Sequence, residues 1–166
     1  MGRLAEATTG QHPTRPGLPD RGEFGRFELA LYLAYGWLGV GAILDILAGI
    51  QLALGFPLWA DGDAHRHIYL AGFLATLLFG MEPRMIPGFI HARQVGVPGL
   101  VGPAVVVWTL TALLRIAPLL LEGSLNGWGV PAQVLAISFG VSGPLGTIAV
   151  GLLAVSLFKT RPLQAP

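Results

Sequence analysis

From Phe27 onward, long apolar runs alternate with short breaks rich in Gly, Pro and charge. The first run covers about residues 27–54 and ends at "GFPLWADGD", where Pro57 stops the helix and Trp59 sits at interface level. A second covers about 65–89 and turns at "HARQVGVPG". A third covers about 100–121, followed by "EGSLNGWGVP" with Trp128, and a fourth covers about 131–158 before "KTRPLQAP". Each run meets the ~20 apolar residues that a helix needs to cross a bilayer. The pattern predicts an all-α integral membrane four-helix bundle over residues 26–160. Residues 1–25 read as a disordered cytoplasmic tail and residues 161–166 as a second, short one.

Composition supports this pattern. Of 166 residues, 53% are hydrophobic and 11% charged, against about 25% charged in soluble domains. A net charge of +1, with no basic patch outside the loops, excludes nucleic acid as a partner and leaves membrane lipid. The chain has no cysteine, so disulfides, thiolate metal sites and covalent haem attachment are excluded. The opening "MGRLAEATTGQHPTRPGLPDRGEFGR" lacks the apolar core of a secretory signal. Glu6 occupies the position where N-myristoylation needs Ser or Thr, and His12 is incidental.

Basic residues set the orientation, because cytoplasmic loops carry excess Lys and Arg. Arg3, Arg15, Arg21 and Arg26 precede the first span; Arg84 and Arg93 flank the second loop; Lys159 and Arg161 follow the fourth span. The first loop sets Arg66 against Asp61 and Asp63, and the third loop has no basic residue. Four spans with both termini cytoplasmic account for this alternation, which places "DAHRH" at the outer face.

Ionisable residues inside apolar spans are costly and therefore candidates for function. Asp45 lies eighteen residues past Phe27 and Arg115 fifteen past Leu100, so both belong to the outer half, level with His65 and His67. Arg84, His91 and Arg93 belong to the cytoplasmic side. His67 and His91 are 24 residues apart, about 36 Å along a helix, and cannot share a metal ion within one chain. His65 and His67, two apart, point about 200° from each other on a regular helix. Either could ligate haem iron or copper, since neutral imidazole suits both. The plainer readings are polar residues at an interface for the His pair and an ion pair joining spans one and three for Asp45 and Arg115. Arg84 and Arg93 would anchor a helix end at lipid phosphates. Met81 and Met85 read as packing, as do Gly140, Gly143 and Gly146 around Pro144.

Residues 60–120 resemble the NnrS family of haem- and copper-containing membrane proteins, which are linked to nitric oxide stress. In "HRHIYLAGF", His65, His67, Gly72 and Phe73 keep the spacing of a family stretch, and Gly80 and Pro87 follow at its seven-residue steps. His67, Gly72, Arg84 and Gly88 keep the spacing of a second family stretch, and Arg115 in "WTLTALLRIAPLL" matches the family's Arg-bearing apolar helix. Ile68 stands where the family has Glu, and the turn "GFIHAR" places its histidine at His91. The resemblance implies a b-type haem near the outer face, with copper as a further possibility. His67 would be an axial ligand and His65 a second ligand candidate. Arg115 would offset a propionate, and Gly72 and Gly80 would leave room for a flat macrocycle. The chain holds one repeat of a family that carries two, so a homodimer would rebuild the full arrangement. A role in redox or nitric oxide response follows from the same likeness. The rival readings are a non-catalytic scaffold or subunit of a larger complex, and a reduced relative of haem–copper oxidase subunit I.

Overall fold

The computed structural model describes residues 22, 24–56, 62–92, 94–125 and 132–161. Among them the chain is helical, with no strand. Helix α1 spans Phe27–Ala53. A continuous helical rod follows, built from α2 (Gly62–His67), a π-helical stretch (Ile68–Ala75) and α3 (Thr76–Phe89). A 3₁₀ turn, Pro98–Leu100, leads into α4 (Val101–Leu125), and α5 spans Ala132–Phe158. Each helix packs mainly on its neighbour in sequence: α1 on the rod, and α5 on α4.

Three helical segments are long and apolar enough to cross a membrane, at Phe27–Ala53, Pro98–Leu120 and Ala132–Phe158. The rod is not one of them. Its run free of Asp, Glu, Lys and Arg lies between Arg66 and Glu82 and is fifteen residues long, short of the ~20 that a bilayer core needs. Outward faces are apolar: Tyr32, Ile43, Ile46 and Ile50 on α1 and Ile137, Ile148 and Phe158 on α5 are more than half exposed. A belt of this kind would aggregate in water and is the surface a bilayer covers. The chain has the build of a membrane protein.

The helix ends are set by local chemistry. α1 closes in a Schellman motif, with Gly55 at φ +75° and the Phe56 amide donating to the Gln51 carbonyl at 2.9 Å. α3 closes the same way without a glycine. His91 takes φ +54°, its amide donates to the Gly88 carbonyl, and the Ala92 amide donates to the Pro87 carbonyl at 2.7 Å. Both Pro83 and Pro87 lie inside α3 and are buried.

Packing between α1 and the rod is close. A Cβ at Gly72 would stand 2.8 Å from the Trp37 ring, and one at Gly80 would stand 3.0 Å from the Ala30 Cβ and 3.1 Å from the Phe27 carbonyl oxygen. The central cluster joins Ala30, Phe79, Ala104, Val105, Ala149 and Leu153, and the Phe79 and Trp108 rings stack with centroids 4.9 Å apart. At the end where α1 begins, Phe24 is fully buried with Phe27, Val95 and Val101. The folded unit thus starts at or before Phe24, inside the segment that the sequence pattern assigns to the tail. At this end too, the loop before α4 is pinned to the end of α5. The Gly96 amide donates to the Thr160 hydroxyl at 2.9 Å, and the Ser156 hydroxyl donates to the Val97 carbonyl at 2.9 Å.

Candidate functional site

The "DAHRH" stretch forms α2, and it divides its polar residues between two sides of the rod. Toward α1, His65 Nε2 lies 3.4 Å from Asp45 Oδ1, and the Tyr69 hydroxyl donates to Asp45 Oδ2. His65 and Tyr69 are one helical turn apart, so both reach the same carboxylate. The Tyr69 ring lies over Gly41, where a Cβ would come within 2.9 Å of it. Asp45 stays half exposed at 52%.

Toward α4 and α5, a cavity of about 490 Å³ opens, lined by Asp63, Arg66, His67, Trp108, Arg115 and Gly143 among others. His67 Nδ1 lies 2.8 Å from the Asp63 carbonyl oxygen. A carbonyl only accepts, so Nδ1 carries the hydrogen and the Nε2 lone pair of neutral His67 is left for a ligand bond. Arg115 places its guanidinium carbon 5.6 Å from the Phe139 ring centroid, a cation–π contact that holds it on the α5 side. Arg66 and Asp63 pair at 3.4 Å, but both are well exposed, so their attraction is screened and contributes little stability.

The π-helical stretch lies beside this cavity. Its wider turns leave carbonyls without a partner four residues on. The Ala71 carbonyl also accepts from two side chains, from Trp108 Nε1 at 3.1 Å and from the Thr76 hydroxyl at 3.4 Å. Trp108 thereby fixes α4 against the rod next to His67.

Several expectations are corrected by this geometry. Asp45 and Arg115 do not pair, because Asp45 turns to His65 and Tyr69 on the rod while Arg115 turns to Phe139 on α5. The divergence of His65 and His67 expected from their spacing is what α2 shows, with His65 turned to Asp45 and His67 to the cavity. Gly72 and Gly80 leave no room for a macrocycle, because Trp37, Ala30 and Phe27 of α1 fill the space over them. The open glycine is Gly143: a Cβ there would meet nothing within 4 Å, and it lines the His67 cavity.

At the opposite end, Arg84 sits 5.0 Å from the Phe27 ring centroid, and His91 serves as the residue past the end of α3. Arg93 lies outside the described residues. Among the described residues, no three His, Asp or Glu side chains gather closely enough to hold a metal ion. Tyr69, Trp108 and Gly143 are the site residues that sequence reasoning missed. For Tyr69 a signal existed, since it lies one turn beyond His65 on the same helix face; Trp108 and Gly143 join the site only through packing of α4 and α5.

No known protein family, curated protein or solved structure matches this chain.

Proposed function

We propose that this chain is a haem-binding, four-span protein of the bacterial inner membrane, NnrS-like and active in redox or nitric oxide response. The observation that carries the reading is His67: an imidazole oriented by the Asp63 carbonyl, with Nε2 free, in a cavity that it shares with Arg66 and Arg115. The residues fit a b-type haem bound through one axial imidazole, with guanidinium groups for its propionates and Gly143 open beside them. Haem would supply one-electron chemistry or an iron position for a small ligand such as nitric oxide. The chain's own part is to hold the ring, through His67, and to neutralise its acid groups, through Arg66 and Arg115. Copper on His65 and His67 together is disfavoured by their separation, and His65 is already engaged with Asp45.

The orientation with both termini cytoplasmic is supported by the gathering of Arg26, Arg84 and Lys159 at one end and of Asp45 and Asp63 at the other. In this reading the rod is the second of four spans, short and charged at both ends, with Arg66 and Glu82 at interface level. A second copy could supply the other axial ligand.

The test is an absorption spectrum of the detergent-purified protein, oxidised and dithionite-reduced. The expected result is a Soret band with sharp reduced α and β bands, lost in His67→Ala while the variant still inserts. A colourless protein after haem supplementation would overturn the reading and favour the scaffold. The closed packing of Gly72 and Gly80 against α1 is the observation on the scaffold's side. Under it, Asp45→Ala and Arg115→Ala would lower stability and nothing else.

A further inference from the structure

A second hollow lies where α1 and α4 begin, at the opposite end from His67. It is a groove of about 670 Å³ between the turn at Gly22–Arg26 and the start of α4. Its lining changes with depth. At the mouth stand Arg26, Gly25 and Gly99; further in stand Leu29, Val106 and Val107. From Val101 to Val107 the helix descends about 9 Å, so the groove runs from the level where the apolar helices start into hydrocarbon depth.

The aliphatic stem of Arg26 lies over Gly102, where a Cβ would come 3.9 Å from its Cδ. Arg26 is exposed and forms no ion pair among the described residues. Among the described residues, the other charged groups toward this end are Glu28 on the first turn of α1, Glu82 and Arg84 on α3, with Arg84 stacked on Phe27, and Lys159 and Arg161 after α5. Neither α1 nor the 3₁₀ turn has a side-chain cap at its start, since Arg26 and Val97 make no capping bond. The start of α1, the positive end of that helix, therefore lies beside Arg26.

We infer that this groove holds one anionic phospholipid, its phosphate at Arg26 and one acyl chain along Leu29, Val106 and Val107. A soluble anion has no use for the apolar depth, and a neutral acyl compound has none for the guanidinium. An amphiphile matches both, and basic pockets between membrane helices are known to select anionic head groups. The inference rests on the chain lying in a membrane and is independent of haem.

Native mass spectrometry of the full chain in mild detergent tests it, with phosphatidylglycerol and phosphatidylcholine of identical acyl chains added in turn. Phosphatidylglycerol should be retained at one molecule per chain and about fivefold better than phosphatidylcholine, the effect of one basic residue at an anionic surface. Arg26→Ala should remove that preference, with helix content unchanged by circular dichroism. Val106→Trp, which fills the groove, should lower retention of both lipids, and Arg161→Ala should change neither. Equal retention of the two lipids by the native chain, or a preference that survives Arg26→Ala, would overturn the proposal. Retention untouched by Val106→Trp would overturn it from the apolar side.

Discussion

At the scale of single residues, His91 shows how a functional-looking group can be a backbone device. A side chain at positive φ costs roughly 1–2 kcal/mol where glycine pays almost nothing. The position is kept in the left-handed region because Ala92, next to it, is buried and its amide closes the end of α3. His91→Gly is therefore expected to raise stability by up to about 1 kcal/mol, and to leave any pigment unchanged. Chemical unfolding followed by circular dichroism reads the first, and the Soret band reads the second. A loss of colour would restore His91 to the functional residues. Asp45 is the reverse case. It is a costly carboxylate at membrane depth, satisfied by two partners on the neighbouring helix, and its ties to His65 and Tyr69 are enough to explain its presence.

At the scale of elements, the rod is the most informative. Its regular first turns send His65 and His67 to different sides, and within its π-helical turns the Ala71 carbonyl accepts from Trp108 and ties α4 to the rod. Gly72 and Gly80 of the rod face α1, whereas the open glycine of the cavity, Gly143, belongs to α5. This arrangement separates two substitutions that sequence alone would treat alike. Gly72→Leu should destabilise the protein by about 1–3 kcal/mol, the usual effect of overpacking, because a Cβ would meet the Trp37 ring at 2.8 Å. Under the haem reading, the spectrum of this variant should be unshifted. Gly143→Leu should leave stability nearly unchanged and reduce haem binding, since its side chain would enter the cavity. Thermal unfolding and haem titration of the two variants check both halves; the opposite pattern would place haem against α1.

At the scale of the whole molecule, the exposed apolar faces of α1 and α5 are those of a membrane protein, and the proposed orientation can be tested directly. The chain has no cysteine, so single cysteines can report sidedness without background. Asp63→Cys should react with a membrane-impermeant maleimide in intact cells. Lys159→Cys should react only after permeabilisation if, as proposed from the positive-inside rule, the Lys-bearing end faces the cytoplasm. The reversed result would invert the molecule and put the His67 cavity inside. Labelling of both sites from one side would mean that the rod, α4 or α5 does not cross.

The sequence by itself determined the helical class, the placement of the helices and the level of the polar residues. Helix periodicity, proline and glycine breaks, and the cost of burying charge are local rules that the order of residues carries directly. His65 and His67 were legible as diverging groups for the same reason, since their angle on a helix follows from spacing alone. The partners of these residues were decided only by the tertiary structure. Asp45 could have met Arg115 on depth alone, yet the packing of α1 on the rod gives it His65 and Tyr69 instead. Gly72, Gly80 and Gly143 are alike in sequence, and only the positions of α1, α4 and α5 determine which is covered and which borders a cavity. The physical reason is that depth along an axis is set by counting residues, whereas rotation and contact between helices depend on side chains distant in sequence.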